Sequence, residues 1–315
     1  MLSREELKIR VENMNKECEG KAACLRWAIL RQALLPRHSS DDQSATATQR
    51  ISRKTNHGFS LIPKHTVDKH QNSKDATVCY TLPINGSPKL FLTQRMDGGA
   101  DLSDFEISNG YNVDNTGLVC QWPSEDILAY FCLSHADMFR SKTVIELGSG
   151  YGLAGLVIAA TTEASQIVIS DGNPQLVDYI QHNIEANSDA FGDTNVKSMM
   201  LHWDQDDTSN IQNTFDVIVA SDCTFFKEFH KGLACTVKLL LKRAETSEAL
   251  FFSPKRGDSL DKFLDEIEKI GLKFSVTENY NTEVWTQHQR FMNGDMSWPG
   301  YEKDHCYPLL LRVTL

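Results

Sequence analysis

Thr143-Val144-Ile145-Glu146-Leu147-Gly148-Ser149-Gly150-Tyr151-Gly152-Leu153 carries the clearest structural signal in the chain. A short β-branched apolar run gives way to three alternating glycines, and then to an apolar segment that starts at about Leu153. That order is a buried strand, a tight turn and a helix. Ligands of open α/β sheets bind outside the carboxyl ends of such strands. Two glycine registers compete in the turn. Gly150-x-Gly152-x-x-Gly155 matches a dinucleotide fingerprint but begins two or three residues after the strand ends. Gly148-x-Gly150-x-Gly152 begins where the strand ends, with Glu146 two residues ahead.

Glu146 separates the two. A carboxylate here repels a pyrophosphate, whereas a cationic amino-acid ligand is held through its ammonium group. S-adenosylmethionine is a ligand of that kind, with Glu146 as a direct or water-mediated partner of its methionine end and Gly148 and Gly150 lining the approach. The bland reading is an ordinary strand-to-helix turn.

Working outward, strand and helix patterns alternate. Gln166–Ser170, Val196–Leu201, Phe215–Ala220 and Ala249–Phe252 are apolar strand runs. Leu176, Val177, Ile180 and Ile184 form one helical stripe, and Leu260, Phe263, Leu264, Ile267 and Ile270 form another. Asn173-Pro174 is an N-cap followed by proline at the first helical position, Asp258 can cap the last helix, and Gly271 ends it. Lys273–Tyr280 and Tyr307–Leu315 are strand patterns with no helix between them. The expected fold is therefore α/β: a doubly wound, Rossmann-like seven-stranded sheet closed by a C-terminal antiparallel hairpin.

Ahead of it lies a smaller helical and β N-terminal region. Ser3 and Glu6 have capping-box spacing, a helical pattern runs from Ala22 to Leu34, and Pro36 stops it. Residues 39–50 are polar and aperiodic, a linker composition. The expected division is a helical extension with linker over 1–50, a β-rich region over 51–113, and the sheet domain over 114–315. In the second region, Thr77–Leu82 and Lys89–Thr93 flank the turn Pro83-Ile84-Asn85-Gly86-Ser87-Pro88.

The strand ends supply candidate side chains. Asp171 closes the second strand about 20 residues past the glycine turn, where an acid accepts from both ribose hydroxyls, and Gly172 and Asn173 complete that turn. A helix cap is the competing reading of Asp171. Trp203, after the third strand, can stack on an adenine and Asp204 can accept from its amino group, or both can be a core tryptophan and a solvated acid. Ser221-Asp222-Cys223-Thr224-Phe225-Phe226 ends the fourth strand, beside the reacting group in this fold. Asp222 and Phe225 are the catalytic candidates and Ser221 a cofactor contact, against a plain N-cap reading of Asp222.

Composition excludes other classes. A net charge of −10 and pI near 5.5 make extended phosphate-backbone binding a poor default, and the fourth strand lacks the Asn-Pro-Pro-Tyr motif of nucleic-acid amino-methylation. Eight cysteines without a Cys-x-x-Cys pair argue against zinc and against a disulfide framework. A cytoplasmic or nuclear setting is expected, with no metal, no nucleic acid, no membrane contact and a monomer favoured. The polar N-terminus does not read as a signal peptide.

Several segments taken in order resemble a known family. They are Asp114-Asn-Thr-Gly-Leu-Val-Cys-Gln-Trp122-Pro-Ser-Glu-Asp, Glu146-Leu-Gly, Asp171-Gly-Asn, His202-Trp203-Asp204, Ser221-Asp222-Cys, Pro254-Lys255-Arg256-Gly257 and His305-Cys-Tyr-Pro-Leu-Leu-Leu. From about residue 112 onward the chain is similar to the calmodulin-directed members of the family-16 protein-lysine methyltransferases. The resemblance implies S-adenosylmethionine as cofactor, calmodulin as the protein substrate, trimethylation of one lysine, Trp122 beside the cofactor, and Asp222 with Phe225 as the acid-x-x-aromatic motif. Two departures stand out. Relatives often carry tyrosine where this chain has Phe225, so no phenol hydroxyl is available. Calmodulin-directed relatives with Gly-Gly-Gly-Met-Thr differ from the Gly-Ser-Gly-Tyr-Gly turn here.

Because calmodulin and this chain are both acidic, recognition calls for concentrated positive charge. Lys255, Arg256 and Arg290 are the candidates, with Trp285, Phe291 and Trp298 as apolar anchors in the 281–306 segment and Phe226 as a wall of the lysine slot. Phe226 in the core, and a segment folded over its own sheet, are the competing readings. A related enzyme acting on a chaperone or translation factor, or a silent methyltransferase-fold binding module, are the alternative functions.

Overall fold

The computed structural model describes residues 58–69, 74–96, 102–119, 121–204 and 208–315. The helical patterns and linker read in the first fifty residues lie outside these. Seven strands form one sheet in the order β6-β5-β4-β7-β8-β10-β9. They are β4 (Thr143–Leu147), β5 (Gln166–Asp171), β6 (Asn195–Met200), β7 (Val217–Ser221), β8 (Glu248–Ser253), β9 (Lys273–Thr277) and β10 (Leu309–Thr314). Neighbours from β6 to β8 are parallel, and β10 is antiparallel to both β8 and β9. The order turns back beside β4, so the carboxyl ends of β4, β5 and β7 face one crevice.

Alternation along β4 sets the layers. Val144 packs with the helices on one face, α2 (Pro123–Ser134), α3 (Leu153–Thr161) and α4 (Pro174–Ala186), while Ile145 and Leu147 pack with α5 (His230–Leu240) and α6 (Ser259–Lys269) on the other. β4, β5, β7 and β8 are buried on both faces and read as continuous apolar runs, whereas β6 and β9, at the sheet edges, are half-exposed or exposed. Asn173 caps α4 as expected, accepting the Gln175 N–H at 2.9 Å. Asp258 occupies the cap position of α6, but its carboxylate pairs with Lys227 and Lys262 and makes no side-chain cap bond.

The connection from β9 to β10 corrects the expectation of a helix-free segment. Helix α7 (Thr282–Met292) and a helical turn at Lys303–Cys306 lie between the strands. Asn281 caps α7 by accepting the Glu283 and Val284 N–H groups at 3.0 and 3.2 Å, and Val284, His288 and Phe291 form its buried stripe. A histidine in that stripe, set among Thr, Glu and Gln, hides the periodicity.

The N-terminal part carries a three-stranded antiparallel sheet, β1 (Lys64–Lys69), β2 (Asp75–Thr81) and β3 (Lys89–Arg95). After it comes α1 (Leu102–Tyr111), within a segment that reads as strand-like in the sequence. A buried bidentate ion pair, Arg95 Nη1 and Nη2 to the Asp104 carboxylate at 2.7 and 3.1 Å, fixes that helix to β3. Two asparagines four residues apart, Asn183 in the last turn of α4 and Asn187 at its C-cap, cover the open edge of β3. Asn183 Oδ1 accepts the Thr93 N–H and Asn187 Oδ1 accepts the Phe91 N–H, both at 2.8 Å, and their amides donate back to the carbonyls of the same two residues. The side chains thus stand in for a missing strand. Asn187→Ala leaves the Phe91 N–H and C=O unpaired, so it should remove about 2 kcal/mol and lower the melting temperature by about 4–8 °C. Hydrogen exchange at Phe91 should speed up in step; unchanged protection there would show that the edge is held by other means.

Candidate active site

Three left-handed glycines shape the floor of the crevice: Gly148 and Gly150 at φ +58° and Gly152 at +84°. At Gly148 a side chain is also excluded by space, because a Cβ would stand 2.7 Å from Cys223 Sγ and 3.1 Å from the Trp203 ring. Asp171 ties this turn to the next strand. Its Oδ2 accepts the Gly150 N–H at 3.0 Å and its Oδ1 accepts the Asn173 N–H at 2.9 Å. A carboxylate has about four acceptor positions, so capacity remains on the oxygens of Asp171, which lines the cavity. Burial pushes its pKa up to about 7.

Of the candidate residues, Trp122, Gly148, Gly150, Asp171, Gly172, Trp203, Ser221, Asp222, Phe225 and Phe226 come together around this one cavity. Three of the cofactor candidates do not line it. Glu146 is 1% exposed and sits on the α2–α3 side of the sheet, where its Oε2 accepts the Gly155 N–H at 2.8 Å. Its other oxygen has no hydrogen-bond partner, and burial holds its pKa well above the usual carboxylate range. Asn173 is fully buried and donates to Asn115 Oδ1 at 3.0 Å, fastening the roof segment to α4. Asp204 is exposed and lies against α5, where a Cβ on Gly232 would meet its Oδ1 at 2.0 Å.

Asp222 follows β7 in a left-handed conformation, φ +58°. Its Oδ2 accepts from Ser124 Oγ at 2.9 Å, and its Oδ1 pairs with Nη1 of Arg256. Arg256, itself at φ +42°, was expected on a surface patch. Instead its side chain is 6% exposed, and its guanidinium lies 4.6 Å from the Trp122 ring and 5.1 Å from the Phe225 ring. The Asp222 side chain is 5% exposed. The pairing across 34 residues is what draws Arg256 inward. Lys255 stays exposed.

The other surface candidates are partly spoken for. Arg290 is exposed and pairs with Asp295 at 2.6 Å. Trp285 is half-buried against Tyr307 and His288. Phe291 and Trp298, expected as free anchors, are buried in an aromatic cluster with Phe59 and Tyr301. This segment folds over its own sheet because its apolar side chains find partners there.

Sequence reasoning missed Glu125 and His202, both of which line the cavity. Glu125 is in the first turn of α2, inside a segment already singled out for Trp122. Burial lifts its carboxyl to about 7 against the opposing pull of Lys64, and it takes the Leu153 N–H at the start of α3. His202 Nδ1 accepts the Asp204 N–H at 3.1 Å, which leaves Nε2 to donate to the Asn112 carbonyl at 3.0 Å. Asp114, Glu125, Asp171 and Asp222 are four acids around the cavity, and no lysine or arginine is among its lining residues. Such a lining favours a cation and disfavours a pyrophosphate.

A family profile described as "Lysine methyltransferase" matches residues 104–270. The calmodulin-lysine N-methyltransferase of Arabidopsis thaliana is 66% identical over 94% of this chain and 97% of its own length. The chain belongs to the lysine methyltransferase family. Likeness extends at lower identity to the protein-lysine methyltransferase METTL21E of Bos taurus, 26% over 67% of this chain and 72% of that protein. The human protein-lysine N-methyltransferase EEF2KMT is 25% identical over 71% of this chain and 66% of its own.

The methyl donor of this lysine methyltransferase is S-adenosylmethionine, and the residues present fit it. Asp171 keeps acceptor capacity for hydroxyls, and the acidic lining suits a ligand carrying sulfonium and ammonium charges. The raised carboxyls also give a stability signature. Glu125 binds its proton more tightly folded (pKa about 7) than at its ordinary value of 4.5, so stability falls as pH rises between the two. Glu125→Gln removes that loss. It should raise the melting temperature of the ligand-free protein at pH 8 by about 6–12 °C, as roughly 3 kcal/mol does in a domain of this size, and leave it nearly unchanged at pH 4.5. Equal shifts at both pH values would contradict the buried-carboxyl origin.

Proposed function

We propose that the acceptor is a lysine of calmodulin, carried to the trimethylated form in the cytoplasm or nucleus. The observation that carries this reading is the 66% identity to the Arabidopsis thaliana calmodulin-lysine N-methyltransferase, which runs through nearly the whole of both chains. The match therefore takes in the segments outside the cofactor turn, where acceptor choice must be made.

When bound, S-adenosylmethionine supplies an electrophilic methyl on sulfonium sulfur, open to in-line displacement by an amine. The protein's task is alignment and presentation of a neutral nucleophile. A free lysine has a pKa near 10.4, which leaves about one part in 2,500 neutral at pH 7. Phe225 and Phe226, edge to face at 4.7 Å, and Trp122 make the apolar wall at the β7 end of the cavity. Such a wall strips water from an incoming ammonium and lowers its pKa. The same faces tolerate a methylated ammonium through cation–π attraction, which suits repeated transfer to one nitrogen. Phe225 has no hydroxyl, so it acts through shape and ring charge alone. Exposed Lys255, next to Arg256 in the chain, is a cation suited to an acidic partner.

Incubation with S-adenosylmethionine and unmodified calmodulin, followed by peptide mass analysis, should place three methyl groups on one lysine. Unlabelled calmodulin, with a different protein labelled instead, would overturn the acceptor assignment and leave the cofactor site intact. Lys255→Glu should lower kcat/KM for calmodulin about 10-fold at low salt, with the defect shrinking as salt rises. S-adenosylhomocysteine affinity should not change in this variant; a salt-independent defect would count against steering by Lys255.

A further inference from the structure

The Asp222–Arg256 pair sets up an electrostatic problem that the cavity itself solves. A lone carboxylate at the end of the lysine slot would hold the acceptor as an ammonium, the form that cannot attack. An opposite charge at close range moves a titrating group by about 1–3 pKa units toward its charged form. Asp222 is not alone. One oxygen takes the Ser124 hydroxyl, and the other takes a guanidinium packed beside the Trp122 and Phe225 rings. With both oxygens engaged, Asp222 is also poorly placed to take a proton from the amine.

We infer that Arg256 is a positioning residue for methyl transfer: its guanidinium cancels the charge of Asp222, so the slot receives the acceptor lysine as a neutral amine. The lysine sheds its proton to solvent on entry. Its lone pair then forms the N–C bond as the S–C bond breaks, with the electron pair of that bond going to sulfur, and the product ammonium loses its next proton before a second transfer. Both members of the pair, Asp222 and Arg256, take left-handed backbone although neither is glycine. Trp122 and Phe225, with ring centroids 6.3 Å apart, keep the guanidinium in place rather than free to reach solvent. The inference rests on lysine methylation itself and not on which protein carries the lysine.

Other titrating groups face the same place. Glu125 stands next to Ser124 on α2, Cys223 follows β7, Cys306 lies on the turn whose Asp304 carbonyl accepts the Arg256 N–H, and Asp114 and Asp171 share the cavity. Burial raises both thiols, which keeps them neutral near pH 7. Glu125 and Asp171 titrate near 7, but they do so in every variant and cancel in a comparison.

The test compares Arg256→Met, Arg256→Lys and the double variant Asp222→Asn/Arg256→Met on unmodified calmodulin. Titration with S-adenosylhomocysteine confirms a folded cofactor site in each. Arg256→Met should lose at least about 10-fold in kcat at pH 7 without a rise in KM, because the bare carboxylate still binds the ammonium. Its kcat should recover as pH rises, with the acid limb moved up by about 1 unit or more. Arg256→Lys keeps the charge and should keep the limb near its wild-type position. The double variant has no net charge at the pair and should be faster than Arg256→Met at pH 7. An unmoved limb in Arg256→Met, or a double variant no faster than it, overturns the inference. Failure of calmodulin as acceptor would appear in the wild-type enzyme, whereas failure here appears only between variants.

Discussion

One half-buried carboxylate joins the two strand ends on which the site is built. Asp171 accepts the N–H of Gly150 with one oxygen and that of Asn173 with the other, so the glycine turn after β4 and the turn after β5 share a single anion. The left-handed glycines make the approach possible, and the carboxylate holds it. Asn173 passes the constraint on through Asn115 to the segment that roofs the cavity. Tyr151, inside the glycine turn, accepts the Arg95 N–H with its hydroxyl at 3.1 Å and donates to the Leu118 carbonyl at 2.7 Å. Floor, roof and N-terminal sheet are therefore one hydrogen-bonded body.

Charge is the second organising theme. Four acids line the cavity, which suits a cationic donor, yet the acceptor must arrive without its own charge. The structure separates these demands in space. Asp171 and Glu125 stand by the glycine turn, where raised carboxyls mark a site that is costly to leave empty at high pH. At the other end Asp222 is matched by Arg256 and walled by aromatic rings.

Much of this was legible in the sequence where a local rule governs. The central strands β4, β5, β7 and β8 announce themselves because both their faces are buried, and Asn173-Pro174 because capping is decided within three residues. Asp171, Trp203 and Asp222 were legible as acids or aromatics at strand ends, where an open α/β sheet binds its ligands. What was hidden depends on partners distant in the chain. Arg256 beside Lys255 reads as a surface basic pair until Asp222, 34 residues earlier, draws it inward. Asn183 and Asn187 look like the polar face of α4, yet they close the edge of a strand about 90 residues upstream. Glu146 reads as a ligand from its position two residues before the turn. In the folded chain it binds the Gly155 N–H beneath that turn, and Glu125 is the glutamate that lines the cavity.

A cationic donor and a neutral acceptor are thus handled at opposite ends of one acidic cavity. A crystal structure of the protein with S-adenosylhomocysteine should show ribose hydroxyls on Asp171, the amino-acid end at the glycine turn beside Glu125, and the sulfur facing Phe225. Arg256 should still pack beside the Trp122 and Phe225 rings on Asp222. A ligand bound outside these residues, or an Arg256 side chain released into solvent with Asp222 left bare, would contradict this arrangement.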